Sequence, residues 1–298
     1  RARASMDFFD KALLTLSTGR SGYSHDPTIK DMLEYVSTHG KLSDDPKVRG
    51  DIHALLGRSW RVLGEPARSA SEYRAAIRDY SLALGKGNDL TLATRYALSR
   101  TLTYMQTAPA FEEARALLDE TDRLAGPRLQ QASTLAMQAA LERGIFQLNR
   151  LRFDAALDAL HRADRLQRKV SPDDAGMAAL IRGSIGDALR RSGRPQASLA
   201  WLRTQMADPL LAPERIGTVS EALLKLAEAN ALSDLGRDHE ALPLARSALD
   251  ASSKALGPDD YFTITQRADM AEIRRASGDC AASLPMARDA SARMTRRS

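Results

Sequence analysis

The side chains that do chemistry most readily near neutral pH are scarce and scattered in this chain. Five histidines, His25, His39, His53, His161 and His239, never share a helical turn with one another, as paired metal ligands on a helix must. Each therefore reads as a surface or packing histidine. Cys280 is the one cysteine, which excludes an intrachain disulfide and a cysteine-based zinc site. It stands by a turn where related segments carry apolar residues, and this predicts a buried, inert thiol. Gly85-Lys86-Gly87 comes nearest to a phosphate-cradling loop but lacks the further glycine and the preceding strand. HExxH, GxxxxGKS/T and GxSxG do not occur. The expectation is a chain with no catalytic residue, no metal site and no cofactor, and hence no enzyme.

Polar residues do occur at fixed phases of a repeat, so the elements that would position them come first. Residues 233–260 set the pattern. Gly236 ends one helix in a left-handed conformation that costs other residues about 1 kcal/mol or more. Ala241, Ala245 and Ala248 then share a face of the next helix, small enough for a neighbouring helix to come close. Gly257-Pro258-Asp259-Asp260 ends that helix and offers caps for the following one. The same shape recurs with its reference small residue at Ser69, Ala114, Ala156, Ser198, Ala241 and Ser283, in steps of 45, 42, 42, 43 and 42.

Six helix pairs follow, over residues 46–88, 90–126, 127–170, 173–212, 213–256 and 258–297. Turns are predicted near Gly64, Asn149, Gly193, Gly236 and Gly278. Ala108-Pro109-Ala110 reads as an insertion, and Pro209 and Pro213 as a cut in the fourth pair. Pro243 and Pro285 share a phase that places them in about the first turn of their helices. With aromatics at only 5% of 298 residues, composition also favours an all-α array whose units touch only their neighbours.

Residues 1–45 lack the repeat phase. Phe8, Phe9, Leu13, Leu14 and Leu16 suggest a short apolar helix, with Phe8 and Phe9 as an anchoring pair. Residues 27–38 suggest a second helix carrying Ile29, Met32, Leu33 and Val36, and together the two would cap the first pair. The opening Arg1-Ala2-Arg3, without an initiator methionine, predicts an excised piece of a longer protein. The net charge is +5, and its excess lies between Arg143 and Arg203, where 12 basic residues face 6 aspartates. These are spread through both helices of two pairs rather than along one face, so no direct nucleic-acid contact is expected. No apolar run approaches the roughly 18 to 20 residues that cross a bilayer.

The repeat resembles the tetratricopeptide repeat. That motif has a small residue at its eighth position, glycine at its turn and small residues at its twentieth and twenty-seventh. They stand here as Gly57, Gly64, Ser69 and Ala76, and again as Gly236, Ala241 and Ala248. The 42-residue period with a long second helix is similar to the kinesin-light-chain variety. The resemblance implies a right-handed α-solenoid whose concave wall, lined by first helices, binds a peptide or protein segment. It also implies that the ninth and twelfth positions face that groove. The polar ones are Arg58, Thr103, Asp187, Asn230 and Glu272 at the ninth, and Arg61, Gln106, Arg190, Ser233 and Arg275 at the twelfth. Asn230 is expected to bond a ligand backbone and Arg190 to hold a carboxylate.

A second resemblance runs through Asp7-Phe8-Phe9, Leu13-Leu14, Asp26-Pro27-Thr28-Ile29, Met32-Leu33, Asp45-Pro46 and Leu56-Gly57-Arg58. It is similar to the segment after the transmembrane helix in CadC- and ToxR-like winged-helix regulators, and in receptor-type serine/threonine kinases with C-terminal repeats. It implies a periplasmic sensor module, tied to the membrane only through a helix outside this sequence. A cytoplasmic scaffold or a kinase tail is the alternative, and a homodimer is compatible with each.

Overall fold

The computed structural model describes residues 29–39 and 43–295. Among them are thirteen α-helices, two short 3-10 turns and no strand, so the chain is all-α. It divides into two compact units, Arg1–Pro127 and Arg128–Ser298. Unit one holds α1 (Ile29–His39), the pair α2 (Pro46–Val62) and α3 (Pro66–Leu84), and the pair α4 (Asp89–Tyr104) and α5 (Ala108–Ala125). Unit two holds four pairs: α6 (Thr134–Asn149) with α7 (Phe153–Val170), α8 (Ala175–Arg191) with α9 (Pro195–Met206), α10 (Pro213–Asp234) with α11 (Asp238–Leu256), and α12 (Tyr261–Ala276) with α13 (Cys280–Thr295). Within unit two each second helix also packs on the next first helix, and successive first helices touch.

The turn inside each pair passes through positive φ, at Gly64, Gln106, Leu151, Gly193, Gly236 and Gly278. Their spacing is 42, 45, 42, 43 and 42, so the long step lies between the second and third pairs, beside the 3-10 turn Gly126–Gln130, and not between the first and second. Ala108-Pro109-Ala110 is accordingly no insertion. It is the first turn of α5, capped by the Thr107 hydroxyl, which accepts the Ala110 N–H at 3.4 Å. The shift went unseen in the sequence because Gln106 replaces the glycine that marks the turn elsewhere.

Close packing inside a pair follows a rule of size. A Cβ at Gly57 would fall 2.9 Å from Tyr73, one at Gly144 2.6 Å from Leu160, and one at Gly186 2.6 Å from Leu202. Where the eighth position is instead Ala229 or Ala271, the facing residue is Ala245 or Ala287. In these five pairs the large facing residues stand opposite glycine, because the interior has no slack for a further methyl group.

The N-terminal helix of this set, α1, buries Leu33 and Val36 against Val48, Ile52, Leu56 and Trp60 of α2, as a cap would. The preceding helix expected around Phe8 and Phe9 lies outside the described residues. In the fourth pair α9 stops at Met206, and a 3-10 turn at Pro209–Leu211 leads into α10, which is broken at Gly217 (φ 75°, ψ 161°). Leu211 and Ile216 fill the space left beside Ala175, Ala178 and Ala179.

Two local expectations are corrected. Pro243 and Pro285 are each the sixth residue of their helix, one turn inside, because α11 and α13 begin only two residues after the turn glycine. Cys280 is exposed, not buried. As the first residue of α13 it precedes Ser283, the first of that helix to reach the core.

Candidate functional site

The first helices of unit two form a row, α8 touching α10 and α10 touching α12. Their last turns bring together polar side chains from three different pairs. Arg190 of α8 donates from Nη2 to Asp187 and from Nη1 to Asp234 of α10, both at 3.1 Å. Arg191 reaches the other Asp187 oxygen at 3.4 Å. One step along the row, the Asn230 amide donates to the Asp269 carboxylate of α12, and Glu272 pairs with Arg275 at 2.9 Å.

Asp269 is the unusual member. Burial pushes its carboxyl up from the ordinary aspartate value, against the Asn230 hydrogen bond and the Arg190 charge that pull it down; Asp187 and Glu272 add to the upward push. Among the described residues no guanidinium or ammonium lies within ion-pair distance of it. The row therefore carries one underneutralised carboxylate next to a string of paired charges.

Of the residues the sequence singled out, Asp187, Arg190, Asn230, Glu272 and Arg275 lie on this row. Arg190 is not an open carboxylate holder, because Asp187 and Asp234 already occupy its guanidinium. Asn230 is likewise engaged by Asp269. Ser233 turns back to Asp238, donating at 2.7 Å. Asp234 and Asp269 stand one residue after the twelfth phase and three before the ninth, so the groove phases of the sequence pattern do not reach them.

In unit one the picture differs. Arg58 is exposed and Arg61 half-buried, both on α2, and neither guanidinium has a hydrogen-bond or ion-pair partner among the described residues. Thr103 is 1% exposed and donates to the Ser99 carbonyl at 2.8 Å, so it faces the core and cannot meet a ligand. Gln106 is exposed but sits in the positive-φ turn, beyond the helix. The misplaced long step accounts for Gln106, which is the turn residue itself; Thr103 falls at the twelfth phase in the corrected register, three residues before the turn, a phase that is buried here as it is at Leu148.

Several basic residues of the stretch 143–203 are held in ion pairs. Arg182, 1% exposed, donates to Asp164 at 3.2 Å and to Asp208 at 2.7 Å, while Arg168 shares Asp164 at 3.0 Å. Arg203 crosses to Glu228 of α10 at 2.7 Å. The guanidiniums paired in this way are not free to track phosphates. His161 packs edge-on against Trp201 at 5.6 Å, and His53 meets Glu72 at 2.6 Å. Among the described residues no three metal-ligating side chains cluster, and no helix is long and apolar enough to cross a membrane.

No family model and no curated protein matches the chain. Among solved structures, one described as MamA MSR-1 C2 is 17% identical, covering 69% of this chain and 99% of its own, with a TM-score of 0.40. A Podosopora anserina putative kinesin light chain with nearly identical TPR-like repeats is 14% identical, covering 85% of this chain and 98% of its own, at 0.34. A singly substituted form of that same kinesin light chain is 16% identical, covering 86% and 100%, at 0.36. The fold itself rests on the helices: paired elements, positive-φ turns at near-constant spacing and matched small-residue contacts make this chain an all-α helical-repeat protein.

Proposed function

We propose that the chain is a non-enzymatic binding module that holds an extended protein segment along the first-helix row of unit two. What carries the reading is the convergence of Asp187, Arg190, Asn230, Asp234 and Asp269 from three successive helices onto one half-exposed strip. Helix packing demands none of these polar side chains there, and long ligands bind such rows through many spaced contacts.

The surplus carboxylate at Asp269 defines the segment's chemistry. A lysine, arginine or terminal ammonium of the ligand supplies the counter-charge that the protein leaves out. In a longer protein the module would act as the sensory part of a membrane-bound regulator, the role the N-terminal resemblance implies, or as a scaffold; both use the same surface. The test is an array of extended peptides, graded in basic content, titrated against the purified chain. Preference for basic peptides that fades in Asp269→Asn supports the reading, and indifference to both charge and variant overturns it.

A further inference from the structure

We propose that residues 207–217 are a hinged strap, seated on α8 by Leu211 and Ile216 and able to swing out when Gly217 turns helical and α10 straightens. Second helices elsewhere are long: α3, α5, α7 and α11 run for 19, 18, 18 and 19 residues. The second helix α9 has only 12, and Pro209 stands where it would continue. The strap fills the room this leaves, placing Leu211 (3% exposed) and Ile216 (9%) against Ala175, Ala178 and Ala179. It enters α10 through Gly217, whose φ of 75° and ψ of 161° lie in a region essentially closed to other residues.

The same sequence has a second way to run. Between Pro213, which suits the first position of a helix, and Asp234, Gly217 is the residue that departs from helical dihedrals. Glycine accepts those dihedrals too, so one residue's change makes α10 continuous. In that straight form the buried pair leaves α8. Ile216 then falls on one face with Leu223, Ala227, Asn230 and Asp234, at steps of 7, 4, 3 and 4. Leu223 is already 39% exposed, so straightening extends the row of unit two by an apolar stripe. That use rests on the binding role proposed above for the row, whereas the switch itself does not.

The seated form is also held at its start. Asp208 accepts the Leu210 N–H at 2.9 Å and the Arg182 guanidinium at 2.7 Å. Release of the strap does not strand that buried cation, because Asp164 of α7 still accepts from it at 3.2 Å. Pro209 and Pro213 stiffen the strap between its ends, so rotation concentrates at Ala207 and Gly217. Opening is therefore local: it uncovers Leu211 and Ile216 while α8 and the rest of α10 stay folded.

The full chain carrying Leu211→Cys, with Cys280→Ser to remove the exposed native thiol, reports the strap through the rate at which a thiol reagent labels position 211. Gly217→Ala, which closes the kinked dihedrals and favours the straight helix, speeds labelling by about a hundredfold with no loss of helical circular dichroism. Ile216→Ser, which weakens the seat and leaves the hinge, speeds it by about tenfold. In the unsubstituted chain the Leu211 and Ile216 amides, bonded to the Asp208 and Ala212 carbonyls at 2.8 and 3.2 Å, exchange hydrogen ahead of α8 and independently of low urea. Should Gly217→Ala fail to fold, Ile216→Ser and the exchange measurement decide. Labelling unmoved by the substitutions, a speed-up that comes with lost helical signal, or amides that exchange only with the whole of unit two overturns the proposal.

Discussion

The hydroxyl of Ser198 donates a 2.8 Å hydrogen bond to the carbonyl of Gly186, twelve residues earlier on the partner helix. The same bond joins Ser69 to Gly57 and Ser283 to Ala271, each at 2.7 Å. The reference small residue thus does two things where it is serine. It lets the two helices approach, and it satisfies a carbonyl of the partner helix at the point of closest contact. Buried hydroxyls of this kind contribute about 1 kcal/mol each when paired, and cost more when the partner is lost.

Size matching at that contact gives the first prediction. Gly186→Ala should destabilise unit two by about 1 to 3 kcal/mol through overpacking against Leu202, partly offset by alanine's better helix propensity. Leu202→Ala alone should cost about 2 to 5 kcal/mol by leaving a cavity. The double variant recreates the Ala229 and Ala245 arrangement, so its loss should fall short of the sum by about 1 kcal/mol. Denaturant unfolding of all four proteins measures this; strict additivity would show that the two positions do not compete for space.

Backbone conformation gives the second. A Cβ at Gly236 meets nothing within 4 Å, yet its φ is 70°. Gly236→Val should therefore cost about 1 to 2 kcal/mol through strain alone, since a β-branched residue resists positive φ. Gly236→Asn should cost less, because asparagine tolerates that region. Equal unfolding midpoints for wild type and the valine variant would remove the left-handed turn from the account.

The period, the pair count and most turns were legible because glycine and proline punctuate them and small residues mark the contacts. At Gln106 and Leu151 the chain takes up positive φ without glycine, so the residue type does not mark the turn. Placing the long step one pair too early then put Gln106, the turn residue, onto a helix face it does not occupy. In unit two Gly186, Gly193 and Gly236 keep the register of the row. Asp234 and Asp269 were out of reach for a different reason: they become partners of Arg190 and Asn230 only when successive first helices lie side by side.

Acid sensitivity should concentrate at the buried arginine. The backbone N–H of Leu210 holds the Asp208 carboxyl below the usual aspartate range, with Arg182 assisting and burial opposing. A depressed folded value contributes stability that is fully present above the ordinary aspartate value near 3.9 and lost as pH falls through the depressed one. Asp208→Asn keeps an acceptor for Leu210 but removes the charge facing Arg182. It should lower stability by about 1 to 3 kcal/mol at neutral pH and flatten the acid limb of the stability profile. Thermal melts from pH 2 to 7 would show it, and parallel acid limbs in the two proteins would refute it.

Asp269 should behave in the opposite sense, and this separates its structural cost from its use. Burial raises its folded value above the unfolded one, so its contribution is present below the ordinary aspartate range and is lost as pH rises through the raised value. Above the raised value the ionised carboxylate is then a net burden on the fold. Asp269→Asn removes that burden while keeping an acceptor for Asn230, and should raise the melting temperature at pH 7 with little effect below the ordinary range. If the row of unit two takes a basic segment, the same substitution must also weaken binding, since the ligand's cation loses the carboxylate left open for it. Isothermal titration with a basic peptide at low and high salt reads the second effect, calorimetric melting the first. A more stable protein that binds less tightly, with a shallower salt dependence, is the expected pair of results; a more stable protein with unaltered affinity would leave Asp269 without a part in binding.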